Sequence, residues 1–220
     1  MKNIAHRGLS ELYPENTLLA FKKAILAGAD GIETDLRLSL DEEVALFHDD
    51  DLSRFTGSDV KLENLSYSEL KKIDVGLGES IPTLDELLEL LNNKIIIVLE
   101  IKYVPSTYKR LCEIIEKKIC DKLDFVEVSC FDDVVLEYAR HLNHDIKLHK
   151  LIDDASVLRD ETFDERYDYI SYFDIDVALK EVALECGIIQ KRKVIFWTVD
   201  KEDLSKEIKA GLYGVMKNNL

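Results

Sequence analysis

The sequence predicts an α/β fold, a closed barrel of eight parallel strands with helices around it, and three observations carry that expectation. Short apolar runs of strand character alternate with stretches of helical periodicity along the whole 220 residues. Eight such runs occur, the number that closes a barrel. His6, Glu33, Asp35 and Glu100 all fall at the carboxyl ends of runs, where such a barrel gathers its catalytic groups. With 46% hydrophobic residues and no internal linker, residues 1–220 are expected to form a single domain around one core.

The elements follow in order. After a short first strand ending at His6, Pro14-Glu15-Asn16-Thr17 opens a helix with Leu18, Phe21 and Ile25 on one stripe, and Gly28 stops it. The second strand is Gly31-Ile-Glu-Thr-Asp-Leu-Arg37. From Leu38 to His48 there is a polar turn at Asp41 to Glu43 and no room for a helix, which reads as a short hairpin returning His48 to the rim above the second strand. Residues 49–80 are polar and are expected to be a small insertion over the pocket. A Thr83-x-x-Glu86 capping box then starts a helix with Leu84, Leu87, Leu88 and Leu91 on one face. Similar stripes are Val135, Tyr138, Ala139 and Leu142, and later Leu179, Val182, Ala183 and Cys186. The remaining strands are placed near 95–101, 125–130, 146–151, 168–172, 194–199 and 213–217. No full helix follows the last of them.

Composition narrows the function. The formal charge of −15 and the absence of any basic run beyond Lys191-Arg192-Lys193 speak against nucleic acid or anionic lipid as a partner and favour a small-molecule substrate. No stretch approaches a membrane span, and the chain enters Asn3-Ile4-Ala5-His6 without a signal peptide, so a cytoplasmic location is expected. Cys112, Cys120, Cys130 and Cys186 have no zinc-like spacing and read as reduced thiols. Oligomeric state is not encoded in any pattern here.

The chemistry centres on Glu33 and Asp35. Residues two apart on a strand share a face, so these carboxylates point together while Ile32, Thr34 and Leu36 point away. At roughly 4 Å and an effective dielectric of about 20, two like charges repel by about 4 kcal/mol, which calls for a cation between them. The apolar run Ile95-Ile-Ile-Val-Leu-Glu-Ile-Lys102 ends with Glu100 and Lys102 on one face. Three carboxylates from two strands make an oxygen-only site suited to Mg²⁺ or Ca²⁺, although Glu100 and Lys102 alone would also pair at a surface. His6 and His48 flank this site in sequence and would serve as a proton donor and acceptor. Each histidine taken singly also has an ordinary structural reading. Arg7 offers a planar fork for phosphate oxygens, or a rim salt bridge.

With those residues assembled, the sequence resembles the glycerophosphodiester phosphodiesterase family. The likeness rests on Ile4-Ala-His-Arg-Gly8, Pro14-Glu-Asn-Thr17, Gly28-Ala-Asp-Gly-Ile-Glu-Thr-Asp35 and His48-Asp49 with Leu52, Arg54 and Thr56. It continues through Ile81-Pro-Thr-Leu84, Leu99-Glu-Ile-Lys102, a looser Val128-Ser-Cys-Phe131 and Trp197-Thr-Val199. The resemblance implies a TIM barrel that cuts glycerophosphodiesters into glycerol 3-phosphate and an alcohol with a divalent metal. It implies His6 and His48 as the acid/base pair, and Glu33, Asp35 and Glu100 as metal ligands. Arg7 and Lys102 would hold phosphoryl oxygens, Glu15 and Asn16 would shape the loop beside His6, and Trp197 and Phe131 would wall the pocket.

The chain departs from that family at its end, where Lys217 and Asn218 stand in place of the usual Thr and Asp, and at Cys130, expected to be inert and to face away from the barrel interior. Asp49-Asp-Asp51 lacks the spacing of a calcium loop. His141, His144 and His149 are expected in a solvated helix-to-strand connection. Two rival functions use the same residues: a lysophospholipase D or sphingomyelinase D acting on lipid, and a non-catalytic barrel that binds phosphate or metal.

Overall fold

Alternation of inward and outward side chains along eight short strands dictates the architecture of the chain, seen in a computed structural model that describes residues 1–91, 95–199 and 204–220. The strands are β1 (Lys2–His6), β2 (Gly31–Leu38), β3 (Ile96–Ile101), β4 (Val126–Cys130), β5 (Leu148–Ile152), β6 (Tyr172–Asp176), β7 (Val194–Trp197) and β8 (Gly214–Lys217). Each pairs in parallel with the next, and β1 pairs with β8 through Lys2 and Gly214, so the barrel closes even though no full helix follows β8. The expected hairpin is present as an antiparallel strand, Val44–Leu46, on β2.

Two apolar layers hold the barrel. Outward residues such as Ala5, Ile32, Leu36, Leu99, Val128, Phe173 and Phe196 share one apolar cluster with buried residues of the surrounding helices, among them Leu18–Leu26, Leu84–Leu91, Tyr108–Ile119, Asp133–Leu142 and Phe163–Arg166. Inward residues Ile4, Val98, Tyr172, Ile195 and Met216 fill the barrel itself. The helix Tyr108–Ile119, not anticipated from the sequence, buries Leu111, Cys112, Ile115 and Ile119 on one stripe.

Local signals act as written. Thr17 Oγ1 caps the first helix by accepting from the Ala20 N–H at 3.2 Å. Thr83 and Glu86 exchange hydrogen bonds of 2.9 and 3.1 Å at the start of Leu84–Leu91. The strand placed at 168–172 lies instead at Tyr172–Asp176. Tyr167 to Ile170 close a short helical turn, and Arg192 donates to both the Tyr167 and Ile170 carbonyls, at 2.7 and 3.3 Å, which holds that apolar stretch out of the sheet. Residues 49–80 form short helices at Ser53–Thr56 and Tyr67–Leu70 around a small core of Phe47, Leu52, Leu62, Leu70, Val75 and Ile81. Among the described residues no helix is long and apolar enough to cross a membrane.

Candidate active site

The carboxyl ends of β1, β2 and β3 bring the acids together. One oxygen from each of Glu33, Asp35 and Glu100 lies within 4.8 Å of the others, all three side chains being buried. Burial and the neighbouring acids Asp35 and Glu100 push Glu33 well above the usual carboxylate range. Burial and Asp35 lift Glu100 to about 7. Burial also acts on Asp35, but Lys102 and Arg7 outweigh it and hold Asp35 below its ordinary value. Lys102 Nζ stands 2.8 Å from Asp35 Oδ1 and also pairs with Glu100, so it neutralises the acids themselves.

The loop after β1 is built for this cluster. Arg7 adopts a left-handed backbone (φ 55°) and donates its N–H to the Glu33 carbonyl at 3.0 Å, while its Nε lies 3.1 Å from Asp35 Oδ2. Gly8 (φ 80°) passes so close to the first helix that a Cβ there would sit 2.7 Å from Ala20 Cβ, which excludes any other residue. Asn16 is buried and donates to Asp35 Oδ2 at 2.8 Å while accepting from Thr34 Oγ1 at 2.7 Å. Glu15 binds Arg7 at 3.4 Å and Arg54 at 2.5 Å, so its charge is taken up in positioning the Arg7 guanidinium.

Both histidines reach the same cavity. His6 Nδ1 is 2.8 Å from Asn218 Oδ1, and its Nε2 is 3.9 Å from Glu33 Oε2. Burial, with Arg7 beside it, lowers His6 to about 4. His48 Nδ1 is 2.8 Å from Asp49 Oδ1, whose other oxygen is held by Arg54 at 2.8 Å. Burial also lowers His48, against the pull of Asp35. The buried Arg37 fixes the His48 backbone by donating Nε and a terminal N–H to its carbonyl at 3.2 and 3.0 Å. The cavity measures about 120 Å³ and is lined by His6, Arg7, Glu33, His48, Glu100, Lys102 and Ser129 together with Phe131, Leu151, Trp197 and Met216. Phe131 and Trp197 meet edge to face at 5.8 Å, and the indole N–H donates to the Asp174 carbonyl at 3.0 Å.

All ten sequence-derived site residues thus converge on one mouth of the barrel, nine around the cavity and its acids and Glu15 one step behind Arg7. Cys130 is buried under the helices, donates to the Ile101 carbonyl at 3.1 Å and is pushed up to about 12 by burial, as expected of an inert thiol. The expectation for His149 fails. Its ring is fully buried inside the barrel, between Asp174 and Glu127 at 3.0 Å each and stacked on Tyr172 at 4.4 Å. Sequence reading misses the contacts of Asn218 and Arg37 with the two histidines, since Asn218 shows in the sequence only as a departure from the family pattern.

Glu33 Oε1 is buried without a hydrogen bond beside oxygens of Asp35 and Glu100, and Glu33 and Glu100 are both held above the usual carboxylate range, so the residues fit a divalent cation.

The sequence pattern of the Glycerophosphoryl diester phosphodiesterase family matches residues 6–220. A glycerophosphodiester phosphodiesterase of Caldanaerobacter subterraneus subsp. tengcongensis is 34% identical over 234 residues, covering 98% of this chain and 93% of that relative. The crystal structure of a glycerophosphodiester phosphodiesterase from Thermotoga maritima superposes with a TM-score of 0.85 at 30% identity, covering 99% of this chain and 94% of that one. An Oleispira antarctica phosphodiesterase in complex with the product sn-glycerol-3-phosphate gives 0.87 at 25% identity, covering 99% and 93%. A pattern matched from His6 to the last residue, on a barrel with the same overall shape, leaves one conclusion: the chain belongs to the glycerophosphoryl diester phosphodiesterase family.

Proposed function

We propose that this chain hydrolyses glycerophosphodiesters to glycerol 3-phosphate and an alcohol, as a single barrel domain over residues 1–220. The observation that carries the reading is that two imidazoles, His6 and His48, line one small cavity together with Glu33 and Glu100 of the acid triad. A binding barrel has no use for a proton-transfer pair. The names of its relatives point to the same reaction.

Glu33, Asp35 and Glu100 would hold Mg²⁺ or Ca²⁺, hard ions that take oxygen ligands, and the bound ion would polarise the phosphoryl group. Arg7 and Lys102 line the cavity with fixed positive charge for the non-bridging phosphate oxygens. One imidazole takes the proton of the attacking hydroxyl, either water or the glycerol 2-hydroxyl, whose cyclic phosphate product water then opens, and the other gives a proton to the departing alcohol. Phe131 and Trp197 present apolar faces to the carbon skeleton and keep water from that side. Four unpaired cysteines agree with a reducing compartment such as the cytoplasm.

The test is an assay of glycerophosphocholine, glycerophosphoethanolamine and lysophosphatidylcholine with Mg²⁺, Ca²⁺ or chelator. Turnover of the first two that stops with chelator is expected. Cleavage of the lysolipid alone would move the function to lipid, and absence of all turnover in metal-loaded protein would overturn hydrolysis.

A further inference from the structure

One polar group in the cavity has no part in the acid cluster. Ser129, on the inward face of β4, is 1% exposed, lines the cavity, and its hydroxyl makes no hydrogen bond. Its neighbours are engaged elsewhere: Glu127, two residues earlier on the same face, is held by His149 at 3.0 Å, and Glu100, beside it on β3, pairs with Lys102. The same cavity is lined by the apolar Phe131, Leu151 and Met216 and by Trp197. A buried hydroxyl without a partner costs stability, so an orphan that lines a ligand-sized cavity marks a place where a ligand supplies the partner.

We propose that Ser129 is a specificity-determining residue that hydrogen-bonds a hydroxyl of the glycerol arm while the four apolar side chains enclose its carbons. The inference rests on the hydrolytic reading above and adds to it the group that reads the alcohol. Sites that hydrogen-bond a substrate hydroxyl reject analogues lacking it more strongly than apolar pockets reject a missing methylene. Ser129 therefore separates glycerol phosphate from its deoxy analogues, and its loss removes the separation without touching metal or phosphate.

The experiment is calorimetric binding to Ca²⁺-loaded wild type and Ser129→Ala of three ligands. These are sn-glycerol 3-phosphate, propane-1,3-diol monophosphate lacking the secondary hydroxyl, and propane-1,2-diol 1-phosphate lacking the terminal one. Wild type should bind glycerol 3-phosphate about tenfold more tightly than one of the analogues. Ser129→Ala should lose about that factor for glycerol 3-phosphate, bind the same analogue as before, and keep its Ca²⁺ affinity and melting temperature. Equal binding of glycerol 3-phosphate by both proteins overturns the role of Ser129 and leaves the hydrolytic reading standing. An equal loss for all three ligands, or a loss of Ca²⁺ affinity, also overturns it, because the hydroxyl would then serve the acid cluster. Failure of both loaded proteins to bind glycerol 3-phosphate removes the proposal together with the function it rests on.

Discussion

Asn218 Oδ1 lies 2.8 Å from Nδ1 of His6, and Asp49 Oδ1 lies 2.8 Å from Nδ1 of His48. Each ring is thus anchored through the same atom, one by a neutral amide and the other by a carboxylate. An acceptor at Nδ1 fixes that nitrogen as the donor and turns Nε2 to the substrate, bare in the ring that takes a proton and protonated in the ring that gives one. Ser10, donating to the His6 carbonyl at 2.8 Å and lying 3.1 Å from the same amide oxygen, completes the mount.

Replacing Asn218 by Leu removes the anchor while keeping bulk. kcat is expected to fall by about 10- to 100-fold with KM within about twofold, since the ring still stands in the cavity but no longer in one tautomer. Asn218→Asp restores an acceptor and adds a negative charge, which favours the protonated ring and moves the acidic limb of the pH–rate profile upward. Steady-state kinetics across pH separates these outcomes from simple loss of fold; unchanged kcat in Asn218→Leu would dismiss the anchoring role.

For the imidazoles themselves, His6→Ala and His48→Ala should each lower kcat by about 10²–10⁴ while binding of divalent ion is retained. Choline release from glycerophosphocholine, alongside calorimetric Ca²⁺ titration, gives both quantities. A variant that still turns over within a few-fold of wild type would show that its ring takes no part in proton transfer.

Metal binding should release protons. In the protein without metal Glu33 is held well above the usual carboxylate range and Glu100 is lifted to about 7, and both must ionise to become ligands. Apparent affinity for Mg²⁺ or Ca²⁺ is therefore expected to rise as pH increases through 7, with proton release visible as a dependence of binding heat on buffer ionisation enthalpy. Glu33→Gln should weaken the ion before it alters the barrel, reducing affinity by about tenfold or more and removing part of the released proton count. An affinity flat between pH 6 and 8 would contradict the assignment.

How much of this could be read in the chain depended on the range of the contact. Glu33 and Asp35 declare themselves because strand periodicity alone puts them on one face, and Glu100 because an apolar run has no other reason to end in charge. The Thr83–Glu86 cap and the stripe behind it are equally local. Asn218 is different: its partner His6 is 212 residues away and is met only when β8 closes on β1. Ser129 looked like part of a degraded motif because nothing in its neighbourhood says that its hydroxyl goes unpaired. His149 was misplaced for a related reason. Lys147-Leu-His-Lys150 reads as polar, and the acids that justify a buried imidazole lie 22 and 25 residues away on flanking strands.

That buried imidazole carries the last prediction. Burial disfavours a charge on His149, but Asp174 and Glu127 outweigh it and raise the ring to about 9. In the unfolded chain the same ring titrates near 6.5, so the folded state binds its proton more tightly. The resulting stabilisation is complete below pH 6.5 and is lost as pH climbs from there through 9, on the order of 3 kcal/mol over that interval. Glu100, raised from 4.5 to about 7 without metal, loses its contribution with the same sign mostly below pH 7, and Glu33, also held above the usual carboxylate range, adds a loss of the same sign. The comparison must therefore be with His149→Gln, in which the Glu100 and Glu33 contributions persist and the His149 contribution is gone. That variant should be weaker at pH 6.5 by about 3–5 kcal/mol, because it strands two carboxylates inside the barrel. It should also show a shallower decline in urea midpoint between pH 6.5 and 9 than the wild type. Parallel declines in the two proteins would mean that the ring is neutral between its acids, and Glu127 or Asp174 would then have to carry the proton instead.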